Sequence, residues 1–501
     1  MPPASVAVLI AGAGPSGLML ALELCRHGVR PRLVDPLPGP SPLSRALVVH
    51  ARTLELLDRH GLAQAMVAEG EPVRGLGLRR AGRLVATVPL GRIGEGLSPF
   101  PYLLVLSQDR TEQLLRAALA ATYGVEVEWG TALTGLIQDT NGATATLQAA
   151  GGLPQTVRAA YVAGCDGVSS AVREALGISF PGGTYEQLFF VADTLTEGLT
   201  ADPTAGRLLA VSLAARSFYG FFPMPRGRTR IIGLLPPGLA RTTATFAEIQ
   251  PALEATEGIR VREVSWFSVY RVHHRVAEQF RRGRGFLVGD AGHVHSPVGA
   301  QGMNTGLGDA VNLGWKLAAA LGHAAPATLL DTYEAERLPF ARQLIQTTDR
   351  AFTAATSPTA WARLVRTQLV PRLAPLLWRL PWVRRLMFRT VSQIGIAYPN
   401  SPLSQGRAGA VAGGQRLPWV PGPRYAALQP PGWHLLHLGP GPAAAAWAQA
   451  QQVPASEVAP GPNEEAGTTY LVRPDGYIGL AALVFSEIEF SAYARRWGIG
   501  R

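Results

Sequence analysis

The first forty residues contain two short apolar runs on either side of a glycine-rich turn and an amphipathic segment. Residues 6–10 are apolar and rich in β-branched side chains, and residues 29–34 form a second apolar run. Such runs are typical of buried parallel strands. Residues 16–27 place apolar side chains at helical spacing. The pattern predicts a strand, a helix and a second strand, the opening of an α/β domain.

A different pattern follows in the middle of the chain. Segments 180–195, 216–235 and 261–275 carry β-branched and aromatic residues at near-alternate positions, which predicts an antiparallel sheet. Residues 286–288 then predict a strand that leads through a Gly-Asp turn and a glycine-rich loop into a helix beginning near Gly302.

The last third of the chain begins with predicted helices over 331–398. Within 369–391, leucines recur at helical spacing with arginines between them. We expect this segment to pack on the preceding domain, and docking on a membrane surface is the alternative. A Pro- and Gly-rich stretch over 399–431 precedes short predicted strands at 434–438 and 469–473, which indicate a small α/β unit.

Composition limits the possible classes of protein. The 501 residues carry a net charge of +11, yet the basic residues are scattered and Lys316 is the only lysine. Without a basic tract or zinc spacing, nucleic-acid binding is not expected. The absence of a long apolar run and of a basic leader predicts no integral membrane segment and a cytoplasmic location. Cys25 and Cys165 lie far apart, so neither a disulfide framework nor a metal site is expected.

The glycine-rich turn has the spacing of a dinucleotide-binding loop. Gly12, Gly14 and Gly17 follow the first strand, and Asp35 ends the second strand about twenty residues later. The first glycine permits the turn, the second lets backbone N–H groups approach a diphosphate, and the third allows helix and strand to pack closely. A carboxylate at Asp35 can accept hydrogen bonds from a ribose. This element predicts a dinucleotide site without distinguishing NAD from FAD.

The Gly-Asp block at 283–321 distinguishes between these two cofactors. Asp290, at a strand end, can bind a polyol hydroxyl, while Gly299 and Gly302 allow the backbone to approach a flat ring. The first turn of the following helix directs N–H groups at that ring. These features suit the ribityl chain and the flavin of FAD.

Four separated blocks carry a family resemblance: GAGPSG with Asp35, SRALVVHARTLELLDRHG, GCDGVSSAVRE and GDAGHVHSPVGAQGMN. With them the chain resembles the FAD-dependent aromatic hydroxylases, single-component flavoprotein monooxygenases of the para-hydroxybenzoate hydroxylase class. It is most similar to the longer members that hydroxylate polyketides, phenols or antibiotics. The resemblance implies an α/β fold with a Rossmann-like FAD-binding domain over 1–180 and 276–398, the latter including the helical segment. The resemblance also implies an antiparallel substrate-binding sheet over 181–275 and a small thioredoxin-like domain over 399–501. The last domain lacks C-x-x-C.

The resemblance also assigns residues. Gly12, Gly14, Gly17, Asp35, Asp290, Gly299 and Gly302 have already been named as candidates for cofactor binding. The resemblance adds Pro15, Ser16, Arg45, Gln108, Asp166, Pro297, Ala300, Met303 and Asn304 as further cofactor-binding residues. For Gln108 a purely structural role is the alternative. The substrate is expected to bind between two walls. One wall is the loop that carries Pro297 and Gly299, and the other is an aromatic strand that carries Phe218 and Phe222. No catalytic residue can be chosen, and His50, His293 and His295 are expected to be structural.

The implied reaction uses non-covalently bound FAD, with NAD(P)H as a transient co-substrate. Dioxygen adds to the reduced flavin, and the resulting flavin hydroperoxide hydroxylates a small aromatic substrate. A flavin-dependent reductase or epoxidase of the same fold and an antibiotic-inactivating monooxygenase remain alternatives, as does a non-catalytic flavin-binding protein. A halogenase is disfavoured because no W-x-W-x-I-P motif occurs. The sequence is compatible with a homodimer.

Overall fold

A parallel sheet forms the centre of the first part of the chain. The computed structural model describes residues 4–41, 44, 46–199, 208–212, 218–239, 241–296, 299–322, 325–357 and 359–500. The path across this sheet is Arg281–Arg282, Gly285–Leu287, Gln155–Gly164, Ala4–Ala11, Arg32–Asp35 and Val127–Trp129, with Gly142–Ala149 and Thr131–Asp139 branching from the third strand. The predicted strand, helix and strand are confirmed, since Ala4–Ala11 pairs in parallel with Arg32–Asp35.

Helices cover this sheet and bury its apolar strands. The helix Pro15–Arg26 follows the glycine turn, and the helix Gly302–Leu321 begins at the predicted residue. The remaining helices of this part are Ala51–Asp58, Ala63–Glu69, Gln108–Tyr123, Ala171–Ala175 and Asp331–Thr356. A three-stranded sheet of Val48–Val49, Leu104–Val105 and Glu71–Pro72 lies at the edge. No helix among the described residues is long and apolar enough to cross a membrane.

A second sheet of eight strands faces the first. Its order is His293–Val294, Arg260–Val276, Gly182–Glu197, Thr229–Leu234, Tyr219–Pro223, Leu209–Ser212, Gly75–Arg80 and Arg83–Pro89. The three predicted segments supply its centre, and their antiparallel pairing is confirmed. The hairpin of Gly75–Arg80 and Arg83–Pro89 was not predicted, because its parallel partner Leu209–Ser212 lies far away in sequence. The helix Phe246–Glu257 packs on this sheet.

The C-terminal part begins with helices and ends in a third sheet. Helices Ala360–Leu364, Val370–Leu377 and Pro381–Val391 come first, with a π-helical turn at Val365–Leu369. The sheet order is then Val411–Ala412, Gln405–Ala408, Ile478–Ala482, Thr469–Val472, His434–Leu438 and Ala455–Val458. Helices Pro442–Ala450 and Glu487–Trp497 pack on it, which confirms a small α/β unit.

Candidate active site

One open cleft connects the parallel sheet with the eight-stranded sheet. Its volume is about 450 Å³. The cleft brings together many of the predicted residues, namely Gly14, Pro15, Ser16, Gln108, Phe222, Asp290, Ala300, Gly302 and Met303. Segments that are distant in sequence thus meet around one space. Arg45 and Pro297 lie outside the described residues.

The glycine loop at one end of the cleft divides its glycines into two roles. Gly12 has φ +101°, and a Cβ on Gly17 would lie 1.9 Å from the Gly12 carbonyl oxygen. Both positions therefore need glycine for packing. A Cβ on Gly14 would meet no atom of the described residues within 4 Å. The helix Pro15–Arg26 starts there without a side-chain cap, so its N–H groups and dipole are available to a diphosphate.

Asp35 holds the glycine loop from the neighbouring strand. Its carboxylate accepts hydrogen bonds from the backbone N–H groups of Ala13 at 2.7 Å and Leu37 at 2.9 Å. The residue is only 8% exposed. In this structure the carboxylate orders the loop, and a contact with ribose remains a prediction.

Ser16 joins three segments that the sequence could only describe separately. A Cβ on Gly289 would lie 2.5 Å from the Ser16 hydroxyl oxygen, and a Cβ on Gly306 would lie 2.3 Å from it. The first helix, the Gly-Asp turn and the helix Gly302–Leu321 therefore approach closely around Ser16. This packing keeps Asp290 beside the glycine loop, in the same cleft.

The Asn304 side chain lies below the cleft rather than in it. Its amide oxygen accepts hydrogen bonds from His50 N–H and Thr53 Oγ1, both at 2.8 Å, and its amide nitrogen donates to Val48 O at 2.8 Å and Ala300 O at 3.0 Å. The side chain is thus fully engaged within the protein, and the residue is 1% exposed. A contact of Asn304 with the cofactor remains a prediction.

The loop before this helix is held in a particular conformation. His50 Nε2 lies 3.1 Å from the Gly299 carbonyl oxygen, to which it can donate, and burial lowers the pKa of His50 to about 4. Gly299 has φ +80°, and Ala300 has φ +53°. A non-glycine residue in the left-handed region is uncommon and is often found where function requires the backbone shape.

Gln108 and Asp166 hold backbone segments at the edge of the site. Gln108 donates to Glu112 Oε1 at 2.9 Å and accepts from Ala46 N–H at 3.1 Å, so the structural alternative for this residue is supported, although it also lines the cleft. Asp166 accepts from Val172 N–H at 3.1 Å, and burial raises its pKa. Its neighbours Cys165 and Gly167, rather than Asp166 itself, are cleft-lining residues.

The eight-stranded sheet supplies the apolar wall of the cleft. Phe222, Ile232 and Tyr270 line it. Phe218 is not among the lining residues, and its contact with substrate remains a prediction. The strand begins only at Tyr219, and its alternation turns Tyr219 and Phe221 into the sheet core.

Two features of the site were missed by sequence reasoning. Arg230 is fully buried and forms two bonds with Asp193, at 2.6 and 2.7 Å, while donating to Ser44 O at 2.7 Å. A single arginine within a predicted strand gives no sequence signal of this role. His295, which lines the cleft, hydrogen-bonds through Nδ1 to Ser296 O at 2.8 Å, and its buried Nε2 has no hydrogen-bond partner among the residues that the structure describes. Burial lowers its pKa to about 4, which keeps the ring neutral.

Comparison with known proteins gives consistent matches over the whole chain. The family model described as the FAD binding domain matches residues 5–348. The 12-dehydrotetracycline 5-monooxygenase/anhydrotetracycline 6-monooxygenase of Streptomyces rimosus is 36% identical over 499 residues, 94% of each chain. The pentachlorophenol 4-monooxygenase of Sphingobium chlorophenolicum is 36% identical over 355 residues, which are 69% of this chain and 64% of that protein.

The solved structures extend the likeness to the complete fold. The OxyS anhydrotetracycline hydroxylase from Streptomyces rimosus superimposes with a TM-score of 0.79 at 33% identity, over 99% of this chain and all of that one. The glycine loop, the Gly-Asp turn and the aromatic wall described above lie within this shared architecture. The chain therefore belongs to the family of FAD-dependent aromatic hydroxylases and is an FAD-dependent monooxygenase.

Proposed function

We propose that this protein uses NAD(P)H and dioxygen to hydroxylate a phenolic, polyketide-like substrate in the cleft between its two large sheets. The observation that carries the proposal is that one continuous cleft is lined both by the glycine loop and by the aromatic sheet. A dinucleotide bound at Gly14 can extend along this cleft towards Phe222, so cofactor and substrate can meet there. NAD(P)H would bind transiently in the same space.

The residues that would hold FAD follow the length of the cleft. The N–H groups at Gly14 to Ser16 would bind the diphosphate, Asp35 the ribose and Asp290 the ribityl chain. The helix Gly302–Leu321 begins without a side-chain cap, so its positive end would stabilise negative charge on the flavin. Bound FAD supplies hydride acceptance and oxygen activation.

The remaining lining residues would hold the substrate. Phe222 and Tyr270 offer flat apolar surfaces for an aromatic ring, opposite the loop that carries Ala300. These side chains exclude water from the reacting carbon, which protects the reaction from side products. His295 Nε2 would accept a hydrogen bond from a substrate hydroxyl, because it is a neutral acceptor to which no described residue donates.

The names of the relatives favour a polycyclic phenol as substrate. The name of one relative contains tetracycline-type substrates, and the name of another contains a chlorinated phenol. We prefer the polycyclic class, since the tetracycline relative matches almost the full chain, including the C-terminal part. Monooxygenase names among the relatives also make a reductase or an epoxidase less favoured.

The domain arrangement and the location are part of the same proposal. We assign the FAD-binding domain to 1–180 and 276–398, with the hairpin 75–89 contributing strands to the substrate domain at 181–275. The C-terminal domain, 399–501, would be thioredoxin-like, because its central strands and two helices form a small layered α/β unit. The protein would act in the cytoplasm.

An oxygen-uptake experiment tests the proposed reaction. The FAD-loaded protein is supplied with NADPH or NADH and with anhydrotetracycline, pentachlorophenol or neither. We expect the polycyclic phenol to stimulate oxygen uptake and to gain one oxygen atom from labelled dioxygen, as measured by mass spectrometry. A product that gains two hydrogens would indicate a reductase. The absence of stimulated uptake across a panel of phenols would contradict the proposal.

A further inference from the structure

The helices between 360 and 391 expose an unusual number of large apolar side chains. Trp361 is 69% exposed, Trp382 is 62% exposed, and Leu386 is 59% exposed. We call this surface the leucine-arginine face. Its exposed apolar members are Trp361, Leu364, Leu369, Leu373, Leu376, Leu377, Leu380, Trp382, Leu386 and Met387. So many exposed large apolar side chains within about thirty residues indicate a binding site for another molecule or a membrane.

The opposite side of the same helices contacts the rest of the protein. Trp378 Nε1 donates to the Pro89 carbonyl oxygen at 2.8 Å, and Arg80 donates to Thr367 O at 2.9 Å. Phe388 is 1% exposed and belongs to the main core. The packing expected from the sequence therefore exists, but it covers only one side. The exposed leucines therefore belong to helices that are attached to the rest of the protein.

The charge on this face selects the kind of partner. Residues 361–391 contain seven arginines and no acidic residue, and the next carboxylate along the chain is Glu457. Arg372, Arg379, Arg384, Arg385 and Arg389 are exposed. Two copies of this face would repel each other, so a second copy is an unsuitable occupant. A surface that combines negative charge with an apolar interior is complementary to it.

We propose that the leucine-arginine face docks this protein on the surface of a bilayer that contains anionic phospholipids. Short helices with exposed Trp and Leu beside Arg are typical of segments that lie in the membrane interface. The apolar side chains would enter the headgroup boundary, and each arginine near the surface adds attraction to anionic lipid. The docked protein rests on the membrane without spanning it.

The leucine-arginine face lies near the cleft, so membrane docking would affect access of substrate to the cleft. Ala374 and Trp378, on the inner side of these helices, pack in one apolar cluster with Phe222 and Ala300. Phe222 and Ala300 line the cleft. A membrane at the leucine-arginine face would therefore be close to the wall that receives the aromatic ring. If the proposed function holds, docking places the site beside the phase in which apolar aromatic molecules concentrate.

Vesicle co-sedimentation tests the docking without any assay of activity. The full-length, FAD-loaded protein is mixed with vesicles of phosphatidylcholine alone or of phosphatidylcholine and phosphatidylglycerol in equal parts. We expect sedimentation with the anionic vesicles, little with the neutral ones, and release at high salt. A triple variant with Leu373→Ser, Leu376→Ser and Leu377→Ser should reduce the bound fraction by about tenfold, and Arg384→Gln with Arg385→Gln should weaken it as well.

The matched control changes equally exposed apolar residues elsewhere. Ile137, Leu153 and Ile488 are 72%, 89% and 84% exposed, and replacing them with Ser should leave vesicle binding unchanged. The proposal is overturned if the wild type ignores anionic vesicles or if the control loses as much binding as the leucine variant. It is also overturned if the wild type is a dimer by light scattering and does not bind vesicles, while the leucine variant is a monomer. That result would make the face a dimer interface. Because binding is measured without substrate, this outcome is independent of the oxygen-uptake result.

Discussion

Arg473 forms two hydrogen-bonded contacts with Glu336, at 2.7 and 2.9 Å, and both side chains are fully buried. Arg473 belongs to the C-terminal sheet unit, and Glu336 to the helix Asp331–Thr356. Lys316 lies 2.8 Å from the same carboxylate, and Asp475 also pairs with Arg473. Burial alone would raise the pKa of Glu336, but Arg473 and Lys316 lower it below its usual value. This network fastens the C-terminal unit to the FAD-binding part.

Removing Arg473 should therefore destabilise the whole protein. In Arg473→Met, the Glu336 and Asp475 carboxylates stay buried without their cation, and we expect the free energy of unfolding to fall by about 3–5 kcal/mol. The control is Arg32→Met, because its partner Glu128 is 44% exposed and such pairs contribute less than about 1 kcal/mol. Urea unfolding compares the two variants. Equal losses would mean that burial of the network does not matter.

Substitutions in the glycine loop can distinguish effects on cofactor binding from effects on folding. Gly14→Ala should leave the melting temperature of the apoprotein unchanged, since its Cβ would lie more than 4 Å from every atom in the described part of the chain. The added methyl group enters the space proposed for the diphosphate, so FAD affinity should fall by about tenfold, or about 1.4 kcal/mol.

The matched change is Gly17→Ala in the same loop. Its Cβ would lie 1.9 Å from the Gly12 carbonyl oxygen, so the apoprotein itself should lose roughly 1–3 kcal/mol of stability. Fluorescence titration with FAD and thermal unfolding of the apoprotein measure both effects. A Gly14→Ala variant that binds FAD normally would place the diphosphate elsewhere.

The sequence predicted those features that depend on local spacing. The first strand, the helix after Gly14 and the start of the later helix at Gly302 all follow from short apolar patterns with glycine turns. Features that need distant partners could not be predicted. The close approach of Gly306 to Ser16 and the anchoring of Ser44 by Arg230 join segments far apart in sequence.

Side-chain direction set another limit on prediction. Phe218 and Phe222 belong to one aromatic run, yet of the two only Phe222 lines the cleft. Asn304 lies in the first turn of the helix Gly302–Leu321, and its amide is used by Val48, Ala300 and the backbone of His50. Residue type and spacing did not show which way this side chain points.

The aromatic wall gives a prediction about substrate handling. Phe222→Ala should raise the KM for the aromatic substrate by roughly five-fold, since a well-placed aromatic contact contributes about 1 kcal/mol. It should also increase the share of NAD(P)H oxidation that yields hydrogen peroxide, because water gains access to the site. Phe218→Ala is the control and should behave like the wild type in both assays. If Phe218→Ala were the more damaging change, the substrate would lie on another part of the sheet.

The last prediction concerns pH and the buried imidazole of His295. Burial lowers the pKa of His295 in the folded protein to about 4, whereas an unfolded histidine has a pKa of about 6.5. As the pH falls below about 6.5, the unfolded chain binds a proton that the native ring refuses, so native stability falls until the pH reaches about 4. Each pH unit in this window costs about 1.4 kcal/mol for one such group. In His295→Asn, the loss of unfolding free energy between pH 7 and pH 5 should be about 2 kcal/mol smaller than in the wild type. Urea unfolding at the two pH values measures this difference. An unchanged loss would mean that His295 accepts its proton in the folded state.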